Sequence, residues 1–272
     1  MTARAFLVRG LLAGLLAGLV TFAVAWTVGE PSVERAIALE TSAETSAEST
    51  HTHSHDSEET AGAAATEEHS HSHGEDALVP RSVQSTVGLG LATVCAGLAL
   101  GGLVAIAAAA AAGRTGSLTP AQSTAVVSLV GFVAFALVPF WRYPANPPAV
   151  GSGDTIGIRT AGYFGFAGIS LVAAVAAVVL AVRLARRHDA FAAVVACTLG
   201  YLAVVVAVGA VMPTVDEVGD FPASTLWEFR TASLVTLATL WAVLGTALTG
   251  AVGALHRQAS GAAARRELAA GL

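Results

Sequence analysis

VGLGLATVCAGLALGGLVAIAAAAAA, residues 87–112, runs for 26 residues without a charged side chain. A helix crosses the roughly 30 Å hydrocarbon core with about 20 apolar residues, so this stretch is long enough to span a bilayer. Five more stretches are long and apolar enough to span, the first with Arg9 near its start: Phe6–Val28, Thr124–Phe140, Ala161–Val182, Ala190–Met212 and Thr231–Ala254. Each is expected to be helical, because lipid offers no partner to an unpaired strand edge. The fold class is therefore an all-α polytopic membrane protein with about six transmembrane helices. Composition agrees. Of 272 residues, 54% are hydrophobic and 12% charged, against about 25% charged in soluble domains. A soluble enzyme, a disordered chain and a coiled coil are excluded. With two cysteines, a disulfide scaffold is excluded too.

Charge is unevenly placed. All 14 basic residues are arginine, and residues 30–84 hold 12 of the 19 acids with only Arg35 and Arg81, a net charge of −10. Such a segment cannot face nucleic acid, and it attracts cations. With the N-terminus in the cytoplasm, the inner segments carry nine arginines: 4, 9, 114, 183, 186, 187, 257, 265 and 266. The outer ones carry five: 35, 81, 142, 159 and 230. The positive-inside rule then puts both termini in the cytoplasm. Arg4 and Arg9 before an apolar run ending in Ala23-Val24-Ala25 also resemble a cleavable signal, which would leave five spans. We read the run as a retained helix, since Gly10, Gly14 and Gly18 share one face suited to close helix packing.

These boundaries divide the chain into a first transmembrane helix (1–28), a His-rich acidic extracytoplasmic loop (29–85), a five-helix bundle (86–254) and a cytoplasmic tail (255–272). Thr119-Pro-Ala-Gln122 and Thr225-Leu-Trp-Glu228 both read as capping boxes. Trp26, Trp141 and Trp227 are expected at the outer interface.

The loop is rich in Ala, Ser, Thr and Glu and is expected to be disordered when free. It holds six of the eight histidines, as His51-Thr-His53-Ser-His55 and His69-Ser-His71-Ser-His73, among acids such as Asp56, Glu58, Glu67 and Glu75. Imidazole suits zinc, copper, nickel, cobalt and iron, and an alternating tract offers several nitrogens to one ion. Without thiolate, Cu(I) or structural zinc is disfavoured. We expect metal capture at these six histidines, with Asp154, Asp216 and Glu217 as an oxygen-rich entrance beneath them. The spans hold no charged residue in their interiors, so no proton relay or carboxylate-lined pore is expected. Thr93, Cys95, Ser128, Ser170, Cys197, Thr198, Met212 and Thr236 are the polar or sulfur side chains left there. The alternative to a cation entrance is that these loops only anchor at the interface, with Arg142 or Arg230 paired to Asp216 or Glu217. No nucleotide-binding or hydrolase signature occurs, so no enzyme and no cofactor are expected.

Several blocks together resemble a known family. They are Arg9-Gly-Leu-Leu-Ala-Gly14, the acidic histidine loop, Val138-Pro-Phe-Trp-Arg-Tyr-Pro-Ala-Asn-Pro-Pro-Ala-Val-Gly151 with Asp154-Thr-Ile-Gly157, Pro213-Thr-Val-Asp-Glu-Val218, and Phe221-Pro-Ala-Ser-Thr-Leu-Trp-Glu-Phe-Arg-Thr-Ala-Ser-Leu234. Across nearly its whole length the chain is similar to the CbtA family, the predicted cobalt transporter subunit. The resemblance implies a bacterial inner-membrane protein for cobalt uptake toward cobalamin synthesis. It also implies a small single-span, His-rich partner, CbtB. The bound or transported ion would be Co2+, with Ni2+ or Zn2+ as alternatives. A non-transporting membrane metal accessory or sensor is the rival class.

Overall fold

The computed structural model describes residues 2–51 and 80–271, with the side chains of 43–51 outside that description. Six helices are long and apolar enough to cross a membrane: α1 (Ala3–Ser42), α2 (Arg81–Ala111), α3 (Pro120–Arg142), α4 (Gly153–Leu184), α5 (Ala190–Val211) and α6 (Ala223–Ala270). No strand occurs among the described residues.

Two ends depart from the sequence reading. Helix continues beyond the first span through a π-turn, Ala25–Gly29, into Glu30–His51, so the N-terminal part of the supposed loop is helical. The reason lies in Glu30–Glu40. Ala36 and Ser32 are buried there, and Arg35 pairs with Glu228 of α6, so tertiary contacts order a stretch that composition alone leaves open. The helix resumes at Arg81, whose guanidinium pairs with Glu30. At the other end α6 runs to Ala270, because Ala- and Arg-rich sequence after Ala254 keeps high helix propensity.

The most extensive contact is between α1 and α2. Here glycine is required by approach distance. A Cβ on Gly18 would lie 2.7 Å from the Thr93 carbonyl oxygen, and one on Gly14 would run into the Gly97 carbonyl. Gly10 meets Gly101 and Ala105 in the same way. Small faces let two backbones touch, which is how membrane helices gain dispersion energy without a hydrophobic drive. α6 closes this unit with Leu240, Leu244, Leu248 and Val252, packed with Phe6, Ala17, Val104 and Ala105. A second core joins α3, α4 and α5 through Ala134, Phe166, Ala174, Tyr201 and Val205. Inside it the Ser170 hydroxyl and the Tyr201 hydroxyl share a 2.9 Å hydrogen bond.

Thr119 forms the expected capping box with Gln122 and Pro120 at the first turn. Thr225–Glu228 does not. α6 starts at Ala223 after Pro222, and Glu228 is drawn off to Arg35.

Candidate functional site

Antiparallel neighbours place the α3–α4 loop, the α5–α6 loop and the helical segments flanking 52–79 at one end of the bundle. Prolines shape both loops. Pro144 forces Tyr143 out of helical geometry (φ −128°, ψ 75°), which ends α3 at Arg142. Pro213 does the same to Met212 (φ −74°, ψ 145°) at the end of α5.

Arg142 reaches from the last turn of α3 to the exposed carbonyls that end α5. Its Nε donates to the Gly209 oxygen at 2.9 Å. Its Nη2 lies 2.8 Å from the Met212 oxygen, 3.3 Å from the Pro213 oxygen and 3.2 Å from Thr214 Oγ1. A cation at a helix C-terminus satisfies orphan carbonyls and opposes the dipole. The Tyr143 hydroxyl donates to the Pro213 oxygen at 3.0 Å, and its ring lies 5.0 Å from the Arg142 guanidinium carbon.

Arg159, in the first turns of α4, lies 3.7 Å from Glu217 Oε2 by its Nε. The same carboxylate oxygen accepts from the Ser152 backbone N–H at 3.3 Å. Gly151 has φ +108° and sits against the Arg159 guanidinium, where a Cβ would lie 2.5 Å from Nη1. Only glycine suits both demands. Arg230, near the start of α6, donates through Nη2 to Asn146 Oδ1 at 3.1 Å and through Nε to the Ala145 oxygen at 3.4 Å.

The pairing therefore differs from the one read in the sequence. Arg142 and Arg230 bind backbone and amide oxygens of the loops, and Glu217 goes to Arg159. A helix-end carbonyl and a proline-rich loop offer fixed acceptors at each arginine's reach, whereas Asp216 lies exposed.

Between these struts lies a cleft of about 510 Å³, lined by Arg142, Tyr143, Arg159, Tyr163, Glu217 and Arg230 among others. Three guanidinium groups against one carboxylate make it positive. Asp154 and Asp216 are exposed and do not line it. Among the described residues no three His, Cys, Asp or Glu side chains come together to hold a metal. Of the six histidines, only the backbone of His51 is described, at the end of the α1 extension. His53, His55, His69, His71 and His73 lie outside the described residues.

Several polar side chains within the spans already hold hydrogen bonds. Thr93 donates to Leu89, Ser128 to Thr124 and Thr236 to Ala232, each returning to its own helix. Cys95 is exposed and Cys197 is buried in α5. Sequence reasoning missed Tyr163 as a cleft residue. Its place at i+4 from Arg159 puts the two on one helix face, the signal that would have found it.

A bundle of six apolar helices, tied at one end by an arginine-braced cap, defines a polytopic membrane protein. The chain belongs to the CbtA family, described as probable cobalt transporter subunits, whose family model matches residues 3–253. No curated protein and no solved structure matches it.

Proposed function

We propose that this chain is the membrane subunit of a bacterial cobalt uptake system, lying in the cytoplasmic membrane with both termini in the cytoplasm. The observation that carries the reading is family membership across 3–253. The nine-to-five arginine bias supports the orientation. His51, His53, His55, His69, His71 and His73 would collect divalent cobalt by reversible chelation on the outer side. Asp154 and Asp216, exposed on the cap, would receive it next. Glu217, held by Arg159, would join them only by leaving that pair. The positive cleft disfavours passage of a free cation through it, so the cap acts as a brace and the inward path needs ligands from elsewhere. A small single-span, His-bearing subunit of the CbtB kind would supply them.

Replacing all six histidines by Ala is expected to lower cobalt uptake more at scarce than at plentiful metal. Equal uptake at limiting cobalt would sink the capture role. The lack of a preformed ligand cluster among the described residues favours a second reading, a metal-binding accessory that transports nothing. Liposomes loaded with a cobalt indicator separate the two. Metal entry with the partner present supports the transporter, and binding without entry supports the accessory. Growth rescue by cobalt, nickel or zinc in a transporter-deficient host then identifies the ion.

A further inference from the structure

The two packed units meet unevenly. α4 joins the rest through α5 and the outer half of α3, where Phe166, Ala134 and Tyr143 pack together. Its inner half leaves a groove of about 770 Å³ against α2 and α3. The walls are apolar, from Leu103 and Ala107 of α2, Val127 and Val130 of α3, and Val175 and Val179 of α4. Trp241 of α6, itself buried, and Phe135 of α3 also line the groove. Trp241 fits there because Gly131 has no Cβ, which would come within 2.8 Å of the indole.

Two observations say what fits this groove. The first is depth. Its walls run from Leu100 to Ala111 on α2 and from Leu171 to Val182 on α4. Each is about 17 Å at 1.5 Å per residue, close to the roughly 15 Å of a single leaflet. A spanning partner helix needs a track about twice as long. The second is charge. Arg114, Arg183 and Arg186 stand at the mouth, exposed, and none is in an ion pair among the described residues. The Asp189 carboxylate accepts from the Ala192 N–H at 2.9 Å, capping α5.

We propose that this groove is a binding site for one anionic glycerophospholipid of the leaflet on the Arg114/Arg183 side. Its acyl chains lie along α2, α3 and α4, and its phosphate meets the three guanidinium groups. Apolar walls of leaflet depth with a basic mouth match that amphiphile and disfavour a zwitterionic one.

The test is native mass spectrometry of the full chain in detergent, titrated with phosphatidylglycerol or with phosphatidylcholine of the same acyl chains. One phosphatidylglycerol per chain is expected, with phosphatidylcholine held far more weakly. Each arginine is worth roughly fivefold in binding, so R114Q/R183Q/R186Q should need about a hundredfold more phosphatidylglycerol. R257Q/R265Q/R266Q, which removes tail charges outside the groove, should change little. A107W fills the groove without touching charge and should abolish retention. It decides the question if circular dichroism shows the triple variant unfolded. Equal retention of phosphatidylcholine, unchanged binding by A107W, or a second copy or co-purified helix found in the groove would each overturn the proposal.

Discussion

Replacing Arg142 by Ala should loosen the cap more than any other single change there. The guanidinium makes two short bonds to carbonyls, at 2.9 Å to Gly209 and 2.8 Å to Met212. Its contacts to Pro213 and Thr214 share Nη2 with the Met212 bond, so we count them with it. A hydrogen bond to a charged group contributes about 1.5–3 kcal/mol. Two give about 3–6 kcal/mol, and the partial exposure of this site reduces that to about 2–4 kcal/mol. The assay is amide hydrogen exchange over residues 208–218 of the detergent-solubilised protein. At 1.4 kcal/mol per tenfold, protection of the Met212 N–H, which bonds to the Val208 oxygen, should drop about 30- to 700-fold. Exchange in α1 and α2 should not change. R142K keeps the charge but not the planar fork, and should recover less than half of the loss. If R142A leaves protection within a factor of about three, or R142K matches wild type, the account of this arginine as a helix-end clamp is wrong.

Gly14→Leu should cost about 3 kcal/mol or more, since the new side chain meets the α2 backbone, while Gly165→Ala and Gly168→Ala, with nothing within 4 Å, should be neutral; thermal unfolding in detergent separates them. Gly151→Ala should cost about 1–3 kcal/mol by the same measurement, because φ +108° strains an L-residue and the new Cβ pushes Arg159 from Glu217. Arg35→Gln should shift stability by no more than about 1 kcal/mol, because its pair with Glu228 is more than half exposed on both sides. Uptake at scarce cobalt should fall as external pH drops below about 6.5, since a protonated imidazole has no lone pair for metal, and the six-histidine variant should lose this dependence.

The spans were legible because uninterrupted apolar runs of this length have one physical outcome in lipid. The Gly10/Gly14/Gly18 face was legible as a packing face, though its partner on α2 was not, since spacing marks a face without naming what covers it. The first capping box formed because nothing competes for Gln122. The second failed because the helix already begins at Ala223, two residues before Thr225, and Arg35, nearly two hundred residues away in sequence, takes Glu228. The cap was half legible. Proline density fixed where α3 and α5 stop, but the choice among oxygen partners for three arginines depends on fold geometry. Counting carboxylates there suggested a cation entrance, and the same loops yielded a positive cleft once each arginine found its place. The helix beyond Gly29 was hidden for a related reason, since polar composition does not report a docking contact to α6.

Glu30 and Arg81 stand at the two feet of the histidine-bearing segment, and their pairing brings those feet together at the capped end of the bundle. The two ends of the chain between them are thereby tied to each other. Doubling the length of such a loop costs only about 0.6 kcal/mol in closure entropy. Insertions or deletions between Glu30 and Arg81 should therefore cost the bundle little, with that ion pair and everything packed beneath it left as they are.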